Sequence, residues 1–118
     1  MASAEPRRGE VWLVSFGASR PGEPGKNRPA IVLSLDSLST DSVADLIAVV
    51  PLSSSTASSA LRPEVEGVNG VDRPSHAIPR AIRGVARSRL LRKLGTVRPA
   101  TLAEIERALL LILGLTSR

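Results

Sequence analysis

Two residues have the type and placement to do chemistry, and the first is Arg28. It stands in Gly25-Lys26-Asn27-Arg28-Pro29-Ala30-Ile31-Val32-Leu33-Ser34. Pro29 fixes its own φ and pushes Arg28 out of the helical region, so the arginine is extended. Ala30 to Leu33 is a short apolar run rich in β-branched residues and reads as a buried strand. Ser19 to Gly25, before it, holds too much Pro and Gly for a regular element. A permanent charge is therefore held where a loop meets a rigid strand, a good place to bind an anion. The second residue is Ser53, in Val49-Val50-Pro51-Leu52-Ser53-Ser54. A hydroxyl just after a strand-ending proline faces the same rim as Arg28 if the two strands are neighbours. On these stretches alone, a surface arginine beside a turn and a satisfied turn hydroxyl remain the alternative account.

The elements that must position this pair are short. Gly9 to Phe16 reads as a first strand ended by Gly17, and Arg28 to about Leu35 as a second. Asp36 to Asp41 is a connector. Ala44 to Val50 is a third strand, closed by Pro51. Ser53 to Ala60 is almost wholly Ser, Thr and Ala, either a linker or a loop offering hydroxyls. Leu61 to Glu66 fits a short edge strand, where Pro63 is tolerated, and Gly67-Val68-Asn69-Gly70 is a turn. Ser75 to Val85 is extended and interrupted at Pro79. Ala86 to Leu91 forms a short helix and Leu94 to Val97 a last strand. The one long helix comes last. Thr101 and Glu104 have capping-box spacing. Leu102, Ile105, Leu109, Ile112 and Leu113 form a stripe at helical spacing, and Gly114 is a natural stop. Ala108, Leu110 and Leu111 widen that stripe beyond what one small barrel needs, which leaves core packing or a subunit surface open.

Composition narrows the function. A chain of 118 residues makes one domain with a core of its own. We expect residues 1–8 to be a disordered extension and 9–116 to be the domain. With no cysteine there are no disulfides or thiolate metal sites. No cluster of His, Asp or Glu has metal-ligand spacing, so neither metal nor cofactor is expected. Met1 to Arg8 has no apolar run behind it, so it does not read as a secretory signal. The longest apolar run, Ala108 to Leu113, is far below the roughly 20 residues of a membrane span, and a cytoplasmic protein fits. The net charge of +5 is uneven. Between Asp72 and Glu104 there is no acid, while Arg73, Arg80, Arg83, Arg87, Arg89, Arg92, Lys93 and Arg98 fall in that interval. Such a half favours a polyanionic partner, with a solvated arginine-rich face as the alternative. Tyrosine is absent and there is one Trp and one Phe, which argues against a row of base-stacking platforms.

Taken in order, the motifs resemble the MazF/PemK family of bacterial toxin endoribonucleases. They are Arg8-Gly9-Glu10-Val11-Trp12, Arg28 to Ser34, Val50-Pro51-Leu52-Ser53-Ser54, and Leu94-Gly95-Thr96-Val97 leading to a Leu-rich helix that ends Leu113-Gly114-Leu115. The resemblance implies a mainly β fold, an SH3-like small β-barrel with a C-terminal α-helix, working as a homodimer. It implies sequence-specific, metal-independent cleavage of single-stranded RNA. It also implies inhibition by a cognate antitoxin with an acidic C-terminal tail, through which alone DNA would be met. Carried over by position, the active-site arginine is Arg28, the hydroxyl residue is Ser53, and a loop glutamate found in some members is Glu23. Lys26, Asn27, Ser54, Arg80, Arg83, Arg87 and Arg89 are the RNA-binding candidates.

The residue types suit that reaction. Attack by the RNA's own 2′-hydroxyl needs a proton acceptor, a donor for the leaving oxygen, and positive charge on the crowded phosphorus centre. Arg28 offers bidentate hydrogen bonds and charge to the phosphate, and Ser53 can orient an oxygen. Glu23 can serve as base if burial raises its pKa. Arg80 falls where many members carry an acid, a charge reversal that bears on base recognition. His76, the only imidazole, reads as an inward or rim-facing structural histidine rather than a catalytic one. Two other readings are a non-catalytic barrel that binds nucleic acid or protein through its basic half, and a gyrase-directed toxin of the same fold.

Overall fold

The apolar runs become strands of one antiparallel sheet. The computed structural model describes residues 5–17, 27–34, 46–54, 61–65 and 75–115. They form β1 (Glu10–Ser15), β2 (Asn27–Val32), β3 (Leu46–Ser53), β4 (Glu64–Val65) and β5 (Ser75–Ala77). A 3₁₀ turn η1 (Pro79–Ala81), β6 (Arg83–Ala86), a second 3₁₀ turn η2 (Arg87–Arg89) and β7 (Leu90–Thr96) follow. The chain then enters helix α1 (Pro99–Ile112). The strand order is β4-β5-β3-β2-β1-β7, with β6 also on β3. β6 passes through η2 into β7, which pairs with the far edge of β1, so the sheet curls into a half-barrel. This is the mainly β fold with one C-terminal helix that the sequence predicts. Glu23, Lys26, the hydroxyl loop beyond Ser54, the 67–70 turn and the 36–41 connector lie outside the described residues.

β3 is the hub. One edge pairs with β2 (Ala30 opposite Pro51, Ile31 opposite Val50, Val32 opposite Val49). The other edge is shared, with β6 along residues 46–49 and β5 along 52–53. Pro51, expected to close this strand, lies inside it instead. In an antiparallel strand a residue's N–H and C=O point to the same edge. The Pro51 carbonyl accepts from the Ile78 N–H at 2.9 Å, so the donor that proline lacks belongs to the β5/β6 edge. There η1 interrupts the pairing, and the ladder to β2 loses nothing.

Alternation along the strands builds two cores. Val11, Ile31, Val50, Leu52, Val65, Ala77 and Leu94 pack under α1 with its Ile105 and Leu109. Trp12, Val14, Ala30, Val32, Ile47, Val49, Val85 and Leu90 fill the concave face away from the helix, with Phe16 against them. The last strand begins at Leu90 rather than Leu94, because it must reach Val14 on β1. The expected capping box does not form: Pro99 opens the helix after an extended Arg98 that makes no side-chain cap. Pro needs no N–H at that position and its φ suits the first turn. At the other end Gly114 has φ +69. Its N–H bonds to Leu111 O (3.2 Å) and that of Leu115 to Leu110 O (2.8 Å), the paired bonds of a Schellman stop. Leu110, Leu111, Leu113 and Leu115 remain exposed.

The opening motif is a structural knot. Gly9, with φ +91, donates to Val32 O at 2.8 Å and accepts from the Val97 N–H at 2.9 Å. It thereby ties β1 to β2 and β7, at a φ that a side chain would strain. Glu10 turns back into the protein. Its Oε1 accepts from the Trp12 indole N–H and the Arg7 backbone N–H, both at 2.9 Å, and its Oε2 pairs with Lys93 Nζ at 3.1 Å. Arg8 donates to Leu33 O and pairs with Glu106 on α1. Glu5 to Arg8, expected to precede the ordered domain, are thus held against it, with Pro6 buried.

Burial alone would push the Glu10 carboxyl up. The bonds from Trp12, Arg7 and Lys93 together outweigh it and hold the carboxyl below its ordinary 4.5. A group whose pKa is depressed on folding stabilises the protein above its unfolded value, and that contribution is lost as pH falls through the folded value. Glu10→Gln is expected to cost about 1–3 kcal/mol near pH 7, the loss typical of a charged buried partner. The gap to wild type should narrow below pH 4.5. Urea melts of both proteins at pH 7 and pH 4 test this; a gap that stays constant with pH would contradict the ionised role.

Candidate active site

The strand registers bring the chemistry-bearing residues into one row. Arg28 lies opposite Val14 on β1, and Asn27 opposite Ser15. From the pair Ala30–Pro51, the same antiparallel register carried two residues further sets Arg28 beside Ser53. Ser53 is opposite His76 on β5, and His76 is opposite Glu64 on β4. Directly opposed residues of a ladder share a face. For Arg28, Ser53 and His76 this is the face of Val14 and Ala30, the one that α1 does not cover, while Glu64, on the edge strand, also borders a pocket with Thr101 and Glu104 of α1. Arg28, Ser53 and His76 are half-buried, while Glu64, Asn27 and Ser54 are exposed. The row therefore runs guanidinium, hydroxyl, imidazole, carboxylate across β2, β3, β5 and β4.

Two more arginines gather where β1 ends. Arg89 Nη1 donates to Ser15 O at 3.3 Å. A side chain on Gly17 would meet that same nitrogen at 3.2 Å, so the glycine, at φ +85, leaves room for it. The Arg83 guanidinium lies 5.1 Å from the centroid of the Phe16 ring, a cation–π contact. Both sites adjoin the β1 residues that face Arg28 and Asn27. Three guanidinium groups thus border one rim, and each carries a charge that persists at any working pH.

The remaining candidates divide. Arg87 is paired with Glu5, so its charge is already compensated, unlike the expectation that placed it with Arg83 and Arg89. Arg80 is exposed on η1, which packs against α1 and β3. Glu23 and Lys26 lie outside the described residues, although Lys26 directly precedes Asn27 in the chain. His76 was read as structural. Its place opposite Ser53 depends on the β3–β5 register, which no local pattern reveals; the only sequence signal was a lone imidazole in an alternating stretch. Among the described residues no group of three His, Cys, Asp or Glu is arranged to hold a metal ion. No helix there is long and apolar enough to cross a membrane.

An extended guanidinium, a hydroxyl and an imidazole on adjacent strands can together hold a tetrahedral oxyanion and move a proton beside it. Comparison with known proteins gives the family of the chain. Residues 7–113 match the family described as PemK-like, MazF-like toxin of type II toxin-antitoxin system. Endoribonuclease MazF9 of Mycobacterium tuberculosis is 36% identical over 119 residues, spanning 94% of this chain and 98% of that protein. The crystal structure of MazF from Deinococcus radiodurans matches with a TM-score of 0.78 at 25% identity, over 95% of this chain and 99% of that one. An endoribonuclease from a mycobacterial species, solved in complex with its cognate antitoxin, shares the fold with a TM-score of 0.77 at 20% identity, over 96% and 99% of the two chains. With a family match over nearly its whole length and a relative above one-third identity, this chain belongs to the PemK-like, MazF-like toxins of type II toxin–antitoxin systems.

Proposed function

We propose that the protein is a cytoplasmic endoribonuclease toxin that cuts single-stranded RNA by attack of the RNA's own 2′-hydroxyl. It acts without a metal, as a homodimer, and is restrained by a cognate antitoxin with an acidic tail. The observation that supports this reading is that Arg28 and Ser53 stand near the ends of neighbouring strands, each two residues beyond the paired Ala30 and Pro51, in a chain of this family.

Arg28 offers its planar fork to the non-bridging phosphate oxygens, where negative charge grows in the transition state. Ser53 orients one of those oxygens or the attacking hydroxyl. Arg83 and Arg89 hold neighbouring phosphates, which positions the strand without reading it. Asn27, Ser54 and Lys26 extend the contact around the β2 and β3 ends. Arg80 stands apart from the row, where a base rather than a phosphate is met. Glu23 is the family's loop carboxylate. Exposed Leu110, Leu111, Leu113 and Leu115 give α1 an apolar end for a second copy to cover.

Arg28→Ala should leave the circular-dichroism spectrum unchanged and lower cleavage of a mixed-sequence transcript by about 10²–10³-fold or more. Arg28→Lys should recover little, since an ammonium lacks the fork. Ser53→Ala should cost less, and Ser53→Thr should be tolerated. A chelator should have no effect, and an oligonucleotide with every 2′-hydroxyl replaced by hydrogen should stay whole. Cutting of that oligonucleotide, or full activity in Arg28→Ala, would sink the mechanism.

Binding separates the arginines. Arg83→Gln and Arg89→Gln should each reduce the slope of log affinity against log salt by about 0.7, the value per phosphate on a single strand. Arg87→Gln should change that slope little, because Glu5 already compensates it. Equal slopes for all three variants would remove Arg83 and Arg89 from the RNA path.

Assembly is read from mass. Light scattering at micromolar concentration should return twice the 12.4 kDa of the chain. An acidic antitoxin peptide should bind this dimer less tightly as salt rises. A single-chain mass would exclude the dimer.

A further inference from the structure

Cleavage by a 2′-hydroxyl needs a group that takes its proton, and neither Arg28 nor Ser53 can do so near neutral pH. We propose that His76 is that group, an inference that rests on the ribonuclease reading above. Its position is fixed by backbone on both sides. Ser53 stands opposite it across the β3–β5 ladder and Glu64 across the β5–β4 ladder, and residues so opposed have Cβ atoms about 4.5–5.5 Å apart. The flanking Ser75 and Ala77 are buried, and the Ala77 and Ile78 N–H groups bond to Pro63 O and Pro51 O, each at 2.9 Å. The half-buried imidazole is therefore held on a pinned strand rather than on a loop, as proton-transfer geometry requires.

Among the described residues of this row, the His76 imidazole and the Glu64 carboxylate are the side chains of the proton-transfer type. Glu64 is one strand further from Ser53 and Arg28, and exposed. Among the described residues, the charged groups on the strands beside His76 are Glu64 of β4, directly opposite it, and Arg28 of β2, on the far side of β3. In the step, the neutral imidazole accepts the 2′-hydroxyl proton while the 2′-oxygen bonds to phosphorus. The bond from phosphorus to the 5′-oxygen breaks with its electron pair, and that oxygen takes a proton from water or from the imidazolium just formed. The products are a 2′,3′-cyclic phosphate and a 5′-hydroxyl end, so atoms and charge balance with no further reagent.

The test uses single-turnover cleavage of a mixed-sequence transcript, with affinity measured on a 2′-deoxy oligonucleotide of a sequence found cut in it. His76→Gln should lower the cleavage rate by about 10²–10⁴-fold, the usual worth of a positioned proton acceptor. Affinity for the deoxy oligonucleotide should stay within about twofold of wild type, because neutral imidazole and amide are both uncharged hydrogen-bonding groups. The rise in wild-type rate between pH 5 and 8, where imidazole ordinarily titrates, should flatten in the variant. Added imidazole should restore part of the rate to His76→Ala. A wild-type rate and pH profile in His76→Gln would overturn the proposal, as would a loss confined to affinity. Flattening in Glu23→Gln instead would give the proton to the loop carboxylate and equally overturn it. A wild-type protein that cuts no RNA would overturn the ribonuclease reading itself, a result distinct from all of these.

Discussion

Strand β3 offers one edge to two partners, and the rest of the molecule follows from how that edge is shared. β6 occupies residues 46–49 and β5 residues 52–53, with η1 between them. A strand edge with an unpaired donor at the handover would carry a buried orphan N–H. Proline at position 51 has no such donor, while its carbonyl still accepts from Ile78. The same handover turns β5 and β4 away from β6 and leaves β6 free to curl toward β7. Pro51 thus stands where β3 passes from β6 to β5, two residues before the Ser53–His76 pair. A register slip of one residue at this point would move Ser53 and His76 to the helix side of the sheet.

The division of labour between the two faces has a physical basis. α1 covers one core, and the polar knot of Glu10, Trp12, Lys93 and Arg7 locks β1 and β7 at the sheet's other end. The Glu10 carboxylate is held by three internal partners, so it serves the shape of the sheet. The row of Arg28, Ser53 and His76 lies on the uncovered face, where strands end and the second core gives out. Arg28 follows Val14 and Ala30 outward along that face as the packing stops. Rigid neighbours with an open side suit a site that must admit a polymer and still fix a guanidinium within a fraction of an ångström.

Much of this was legible in the residues, and the exceptions share a cause. Arg28 and Ser53 could be placed on one rim because each sits at the end of an apolar run beside a proline, a local signal. The strands, the interruption at Pro79 and the stop at Gly114 were local as well. What failed was non-local or competitive. The role of Pro51 inside β3 depends on Ile78 from another strand. The partner of Arg87 lies at Glu5, near the far end of the chain. Thr101 and Glu104 had the right spacing for a capping box, but Pro99 entered the helix two residues earlier and won. The place of His76 opposite Ser53 was likewise out of reach, since it lies on a three-residue strand paired with a two-residue one, whose register no periodicity can fix.

A rim of arginines with so few acids raises the question of how the free protein tolerates it. Like charges at close range repel, and a long side chain in water loses entropy when it is held. Among the described residues the arginines are held in three ways. Arg83 lies over the Phe16 ring, a contact worth about 0.5–1 kcal/mol at an exposed site. Arg89 gives one of its five donors to the Ser15 carbonyl. Arg87, next along the chain, is given the carboxylate of Glu5 instead. A carboxylate compensates charge, whereas a ring face or a carbonyl orients a guanidinium and leaves its charge in place. The arginines held by ring and carbonyl are those beside the Arg28 row, and the one that is neutralised is the one paired with the chain's N-terminal segment.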